Sequence, residues 1–514
     1  MPPVCVRPSP NSFPVVNISL TTFFKLDKVS ALKKEGLKGS FWNFLNVIVN
    51  QLRNFIVSLV LARLLTPAEF GLISMALVLN AILEIVIEFG LSSALIREKE
   101  ISQQQISTVF YLNIGLGFIT SLLVFALAPG FAWFFKMPQL ADIVRVTSWS
   151  FFIASFGTLQ TALFQRNLNF KSPFIARVVS GTASGCVGIV CAFTGFGVWS
   201  LVWMQLTGWT LNSGTIWWLS SWRPSRCFQL KSIGKFLVFG WKFTLTTIIS
   251  RVFTQIDQII IGKLYSASTL GLFNRAKSLN YLVTECSFNP IRSVMLPTLS
   301  KLQDDKEAFR YSLLKLINVV SFLSFLFGGI MYICSDAFIL ILYGEKWMGT
   351  VAIFKILGLF SFTMSLPIIY DMVMATYNRM NLYLSVGIVQ KAMLLCIIPI
   401  GIWWGFFPYI WGICIAQALG ILIYPFTTRS CVQLSIRSQA AAFIPYMLEM
   451  LVLVAIWHFI HFDCESILLK LAIEIAYYGI GYLGMNILLR SDGLHTVWSI
   501  VRKADFRKML HLRR

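Results

Sequence analysis

What most limits the fold of this chain is a succession of apolar stretches, each long enough for a membrane-crossing helix, separated by short polar breaks. A helix rises 1.5 Å per residue, so about 20 apolar residues cross a hydrocarbon layer ~30 Å thick. Such stretches lie near 41–62, 70–95, 106–128, 141–164, 174–195 and 198–219, then 237–262, 271–298, 312–334, 350–375, 382–404 and 408–427, with a last pair near 440–460 and 466–489. Thr66-Pro67, Met137-Pro138, Ser172-Pro173, Arg223-Pro224 and Phe407-Pro408 fall between them, as breaks should. Only 13% of the 514 residues are charged and 57% are hydrophobic, which excludes an ordinary soluble domain. The expected fold class is an all-α polytopic membrane protein with about fourteen transmembrane helices.

Basic residues orient such a chain, because cytoplasmic loops hold the excess of Lys and Arg. With the N-terminus inside, the inner loops hold Lys33, Lys34, Lys38, Arg97, Lys99, Arg166, Lys171, Arg223, Arg226, Lys231, Lys235, Lys301, Lys306, Arg310, Arg379, Arg429 and Arg437. The outer loops keep little beyond Arg63, Lys136, Lys263 and Lys346. Both termini are therefore expected in the cytoplasm. The net charge of +21 is read as anchoring to anionic membrane lipids, with no nucleic-acid partner. Residues 1–30 are rich in Pro and Ser and lack the apolar core of a signal peptide, so a partly disordered tail is expected there.

The chain is also doubled. "LARLLTPAEFGLIS" from Leu61 is echoed by "IGKLYSASTLGLFN" from Ile261: Arg63 falls on Lys263, Thr66 on Ser266 and Gly71 on Gly271. "FQRNLNF" from Phe164 is echoed by "YNRMNLY" from Tyr377. Two six-helix lobes related as a parallel repeat follow, an arrangement that alternating-access transporters use with the substrate site between the halves. The expected division is a basic N-terminal tail (1–37), an N-lobe with helices one to six (38–222), a basic linker (223–236), a C-lobe with helices seven to twelve (237–430), two extra helices (431–490) and a basic cytoplasmic tail (491–514).

Polar residues inside such helices are costly and mark function by default. Helix one carries Asn43, Asn46, Asn50, Arg53 and Asn54 at spacings of three and four, and helix seven carries Thr244, Thr247, Arg251, Thr254 and Gln258. Helix two adds Asn80, Glu84 and Glu88, and helix eight adds Arg275, Lys277, Asn280, Glu285 and Arg292. Together these faces are expected to line a wet, net basic cavity. Arg53, Arg251, Arg275, Lys277 and Arg292, with Asn46, Asn50, Asn54 and Asn280, are its candidate substrate-binding residues. The competing reading is structural ion pairing, Arg53 with Glu84 or Glu88 and Arg251 or Arg292 with Asp257 or Glu285. A cationic lumen suits an anionic cargo, because guanidinium forks bind phosphate oxygens bidentately. An unpaired hydroxyl costs roughly 2–7 kcal/mol in hydrocarbon, so a glycan needs such a path. Glu84, Glu88, Asp257 and Asp371 are the acids placed to couple movement to a proton or sodium gradient; no other cofactor is expected.

No catalytic chemistry is legible. The chain has no G-x-x-x-x-G-K-[ST] and no H-E-x-x-H, so a transporter rather than an enzyme is expected. The ten cysteines include no C-x-x-C and read as packing thiols. His458-x-x-His461 with Asp463 lacks further ligands, and no metal site is expected.

The hairpin stretch followed by "IEFGLSSALI", with "QIDQIIIGKLYSASTLGLFNRAKSL" and "LPTLSKLQDD", resembles the Wzx-type polysaccharide flippases of the multidrug/oligosaccharidyl-lipid/polysaccharide exporter superfamily, in the branch serving lipopolysaccharide and colanic-acid-like exopolysaccharides. The likeness runs from about Lys33 to Arg490. It implies a bacterial inner-membrane protein that moves undecaprenyl-pyrophosphate-linked oligosaccharide from the cytoplasmic to the periplasmic leaflet. It also implies contacts with a polysaccharide polymerase and chain-length machinery. The alternatives are a lipid II flippase, in whose relatives arginines of the first, second and eighth helices matter, and a cation-coupled drug exporter, whose cavity should be net acidic. Helices one and eight supply Arg53, Arg275 and Arg292, whereas helix two offers Glu84 and Glu88.

Overall fold

The computed structural model describes residues 42, 45–98, 100–460 and 466–503. The expected N-terminal tail, Asn43, His461, Asp463 and the last eleven residues lie outside them. Every regular element among the described residues is helical. The first half contains α1 (Leu45–Leu64), α2 (Pro67–Glu88), α3 (Leu91–Arg97), α4 (Gln103–Phe135), α5 (Gln139–Arg166), α6 (Lys171–Phe193) and α7 (Val198–Leu219). The second half begins with α8 (Gly234–Leu264), α9 (Ala267–Lys301), α10 (Lys306–Ile333) and α11 (Ser335–Tyr343). It continues through α12 (Thr350–Leu359), α13 (Phe362–Thr376), α14 (Met380–Cys396), α15 (Ile398–Trp404), α16 (Phe406–Ile421) and α17 (Tyr424–Val432). The chain ends in α18 (Ile436–Ala441), α19 (Ile444–Phe459), α20 (Ile467–Leu488) and α21 (Asp492–Lys503).

Eleven helical spans among the described residues are long and apolar enough to cross a membrane, rather than the fourteen expected. The other three expected crossings, α5, α7 and α9, are helices of 28, 22 and 35 residues, long enough to cross. Bulky apolar side chains face outward: Trp133 and Trp218 are each 80% exposed and Trp403 is 78% exposed, as aromatic anchors of a multi-pass membrane protein should be. The second expected span does not run unbroken from 70 to 95. Phe89 (φ 43°) and Gly90 (φ 62°) are left-handed, which ends α2 and turns the chain into α3. A Cβ on Gly90 would sit 3.0 Å from the Gly240 backbone, so the turn is where α2 meets α8.

The repeat is visible in the local structure. Thr66 caps α2 in a reciprocal box with Glu69, with Pro67 in the first turn, and Ser266 caps α9 through the Thr269 amide at 3.1 Å. Gly71 and Gly271 occupy the crossing of α2 and α9: a Cβ on Gly71 would collide with the Ala267 carbonyl, and one on Gly271 with the Pro67 carbonyl. Position 71 thus contacts 267, and 271 contacts 67, reciprocally. The basic pair behaves likewise. Arg63 donates to the Leu342 carbonyl at 3.0 Å and to that of Ile341, at the C-terminus of α11, while Lys263 donates to the Phe134 carbonyl at the C-terminus of α4. Each half therefore places a cation on an orphan carbonyl end of the other.

The second echo holds in geometry but not in register. Asn169 N–H bonds the Phe164 carbonyl and Arg379 N–H bonds that of Met374, both at 2.9 Å, with left-handed Leu168 and Asn378 between. The same helix-ending turn recurs, so Asn167 corresponds to Tyr377, three residues from the pairing the letters suggest.

One apolar core runs across both halves at the end where α1 meets α2, called here the hairpin end. It joins Leu61, Leu65, Phe70 and Leu201 to Ile261, Leu270, Trp347 and Tyr409. Trp347 is its centre: fully buried, it donates to the Ala62 carbonyl at 2.6 Å and meets Phe70 edge-on at 5.4 Å. The hairpin end is closed.

Candidate substrate cavity

Beneath that core lies a cavity of about 940 Å³, large enough for a drug-sized headgroup. Its walls come from α1, α2, α5, α6 and α7, with one residue, Arg275, from the second half. The polar stripe of α1 faces it as one wall, Asn46, Asn50, Gln51, Arg53 and Asn54. Glu84 and Glu88 enter from α2, Thr158 and Thr161 from α5, Arg177 from α6, and Gln205, Trp209 and Asn212 from α7. The lining charges are Arg53, Arg177 and Arg275 against Glu84 and Glu88, a net basic set.

How the cations are held decides what they can do. Arg53 donates to the Arg177 backbone carbonyl at 2.7 Å and to the Asn54 side-chain oxygen at 2.9 Å. Arg275 reaches from α9 to the Ser58 hydroxyl and lies 4.0 Å from the centre of the Phe70 ring and 5.9 Å from that of Trp347. Its Nε is buried without a partner. Among the described residues the ion pairs are Arg145–Asp142, Lys277–Asp257 and Lys355–Asp336, so neither Arg53 nor Arg275 is neutralised by a carboxylate. The pairing of Arg53 with Glu84 or Glu88 does not occur. Ser58 lies five residues beyond Arg53 on α1, an axial rise of about 7.5 Å between the two backbone positions.

The other candidates are not among the residues that line this cavity, whereas α8 and α9 were expected to line it together with α1 and α2. Lys277 is paired with Asp257 at 3.2 Å. Asn280 is buried and donates to the Leu357 carbonyl at 3.3 Å, and its counterpart Asn80 donates to Ser150 at 3.2 Å. Both leave their side-chain oxygen without a partner, so the equivalent pair ties α9 to α12 and α2 to α5. Arg251 is exposed on α8 and acts on Glu84 electrostatically. Arg292 is exposed on α9 and acts on Asp371, which the Tyr424 hydroxyl approaches at 3.5 Å and which does not line the cavity. Thr247 and Thr254 bond carbonyls of their own helix. The two stripes are equivalent in sequence, yet only the first-half stripe lines this cavity.

Sequence reasoning missed Arg177, Trp209, Gln205 and Asn212. Arg177 had a signal, an ionisable residue two turns inside an apolar helix. The α7 residues had none, since Trp, Gln and Asn in that segment follow no stripe. Among the described residues no group of three or more His, Cys, Asp or Glu is arranged to hold a metal.

The sequence profile of a family described as "Polysaccharide biosynthesis protein" matches residues 60–352. The lipopolysaccharide biosynthesis protein WzxC of Escherichia coli (strain K12) is 27% identical over 64% of this chain and 67% of its own length. The teichuronic acid biosynthesis protein TuaB of Bacillus subtilis (strain 168) is 25% identical over 64% of this chain and 68% of its own. In fold, the chain is similar to an inward-closed structure of the lipid II flippase MurJ, with a TM-score of 0.68 over 88% of this chain and 99% of that one, at 18% identity.

Proposed function

Since this chain belongs to the polysaccharide biosynthesis protein family, we propose that it flips undecaprenyl-pyrophosphate-linked oligosaccharide repeat units across a bacterial inner membrane, by alternating access between its halves. The observation that carries the reading is the cavity: arginines without carboxylate partners beside amide and hydroxyl side chains, enclosed in an apolar helical body. Guanidinium groups suit the diphosphate, and Asn, Gln and Thr suit sugar hydroxyls that cross bare lipid only at high cost. Trp209 adds an aromatic face for a pyranose ring. Relatives named for lipopolysaccharide and teichuronic acid biosynthesis support a polysaccharide product. A drug exporter for cations fits less well, because the lining is net basic.

In this reading both termini are cytoplasmic, the hairpin end is periplasmic, and the closed core around Trp347 is the outer gate. Glu84 and Glu88 are the lumen-facing acids that serve a proton or sodium gradient, since Asp257 is taken up by Lys277 and Asp371 lies outside the cavity. Docking to a polymerase and chain-length machinery belongs to the same proposal.

The test is made in cells lacking the gene. Extracted polyprenyl lipids should contain an accumulated sugar-bearing diphosphate, cleared by the wild-type gene and not by Arg53→Ala. A strain that makes the precursor but accumulates none, with altered drug sensitivity instead, would overturn the reading in favour of the exporter.

A further inference from the structure

On α6, Arg53 lies against a helix face that has been cleared for it. A Cβ on Gly181 would fall within the Arg53 guanidinium, and one on Gly185, the next turn, would meet Val57 at 2.7 Å. The missing side chain at 181 lets the guanidinium lie flat on α6 and reach the Arg177 carbonyl at 2.7 Å. The Arg177 side chain itself lines the same cavity and is exposed to it, in no ion pair among the described residues. Two guanidinium groups, one from α1 and one from α6, therefore share one wall.

We infer that Arg177 is a second diphosphate-binding residue beside Arg53, and that Gly181 is a positioning residue which leaves the Arg53 guanidinium room to lie on α6. The inference rests on the proposed substrate class and deepens it. A diphosphate offers each fork its own phosphate oxygens and carries more charge than a monophosphate to offset both cations. The pair thus selects a diphosphate over a monophosphate. Arg53 alone, held by a carbonyl and an amide oxygen, has no such preference. Gly181 acts only through Arg53, so its effect should vanish when that side chain is removed.

The experiment measures binding of undecaprenyl diphosphate and undecaprenyl monophosphate, both without sugar, to the purified full chain in lipid nanodiscs. Wild type should prefer the diphosphate. Arg177→Ala should bind the diphosphate roughly 10- to 100-fold more weakly, as loss of a charge-assisted contact implies, while the monophosphate changes by less than about 3-fold. Arg177→Lys should restore part of the loss. Gly181→Ala should lower diphosphate affinity in the wild-type background and change nothing further in Arg53→Ala, where the methyl group has room; that double variant also controls for folding. Diphosphate preference in wild type that survives intact in Arg177→Ala and Gly181→Ala overturns the inference and leaves the proposed function standing. Equal losses for both lipids in Arg177→Ala overturn the two-phosphate selection. Failure of wild type to bind the diphosphate at all overturns the proposed function and this inference with it.

Discussion

Replacing Trp347 with Ala tests whether the closed hairpin end is a gate held by identifiable contacts. Trp347 belongs to the second half, is fully buried, and reaches Ala62 and Phe70 of the first. Three contributions are lost when its ring goes. Its Nε1–H bond to Ala62, at 2.6 Å, satisfies a carbonyl in the last turn of α1 and is worth about 0.5–1.5 kcal/mol. The edge-on contact with Phe70 at 5.4 Å adds about 0.5–1.5 kcal/mol. Apolar area buried against the other half adds roughly 1 kcal/mol, since only part of the side chain's burial is lost when the halves separate. The sum, about 2–4 kcal/mol, stabilises the closed hairpin end and not the open one. An equilibrium shift of roughly 30- to 700-fold toward opening follows, at about 1.4 kcal/mol per factor of ten. The assay is labelling of a cysteine placed at Leu65, which is buried in the shared core, by an impermeant maleimide supplied at the hairpin face of an otherwise cysteine-free protein. Labelling should be slow with Trp347 present and at least tenfold faster in Trp347→Ala. Trp347→Phe, which keeps a ring and loses the hydrogen bond, should fall between. An unchanged labelling rate in a folded Trp347→Ala protein would refute the idea that these contacts hold the gate.

The same cysteine probe reports two further outcomes. Gly271→Val places a side chain against the Pro67 carbonyl, so α2 and α9 must separate and labelling should rise as in Trp347→Ala; the effect should be matched by Gly71→Val against Ala267. Arg63→Ala and Lys263→Ala each remove a cation from a helix C-terminus, worth about 0.3–1 kcal/mol at an exposed position, so each should raise labelling only 2- to 5-fold and the two effects should add. In flux measurements under imposed proton and sodium gradients, Glu84→Gln or Glu88→Gln should flatten the gradient dependence while Asp257→Asn leaves it unchanged. The opposite pattern would move the coupling role to the Lys277–Asp257 pair.

Particular residues show how far the letters alone reach. Arg53, Glu84 and Arg275 are legible as site candidates because an ionisable group in an apolar helix is costly wherever that helix lands. Lys277 and Asp257 satisfy the same rule yet neutralise each other, and no one-dimensional pattern distinguishes a paired cation from an unpaired one. Asn280 lies in a polar run, but its amide is spent on the Leu357 carbonyl of a neighbouring helix. Arg177 and Trp209 meet in the cavity although α6 and α7 show no stripe, because a wall is assembled from single residues on separate helices.

What the sequence determined by itself is the material that depends on local chemistry. Apolar length sets the helices, Thr66-Pro67 and Ser266 set where the second helix of each hairpin begins, and the 200-residue echo sets two alike halves. Even the crossing at Gly71 and Gly271 is written twice in the chain. Only the tertiary structure decided that the cavity belongs chiefly to the first half, that Arg275 alone of its helix enters it, and that the hairpin end is shut. Those outcomes turn on the rotation of each helix about its axis and on which half closes over which, and two faces with the same local pattern have the same local energy until a neighbour packs against one of them.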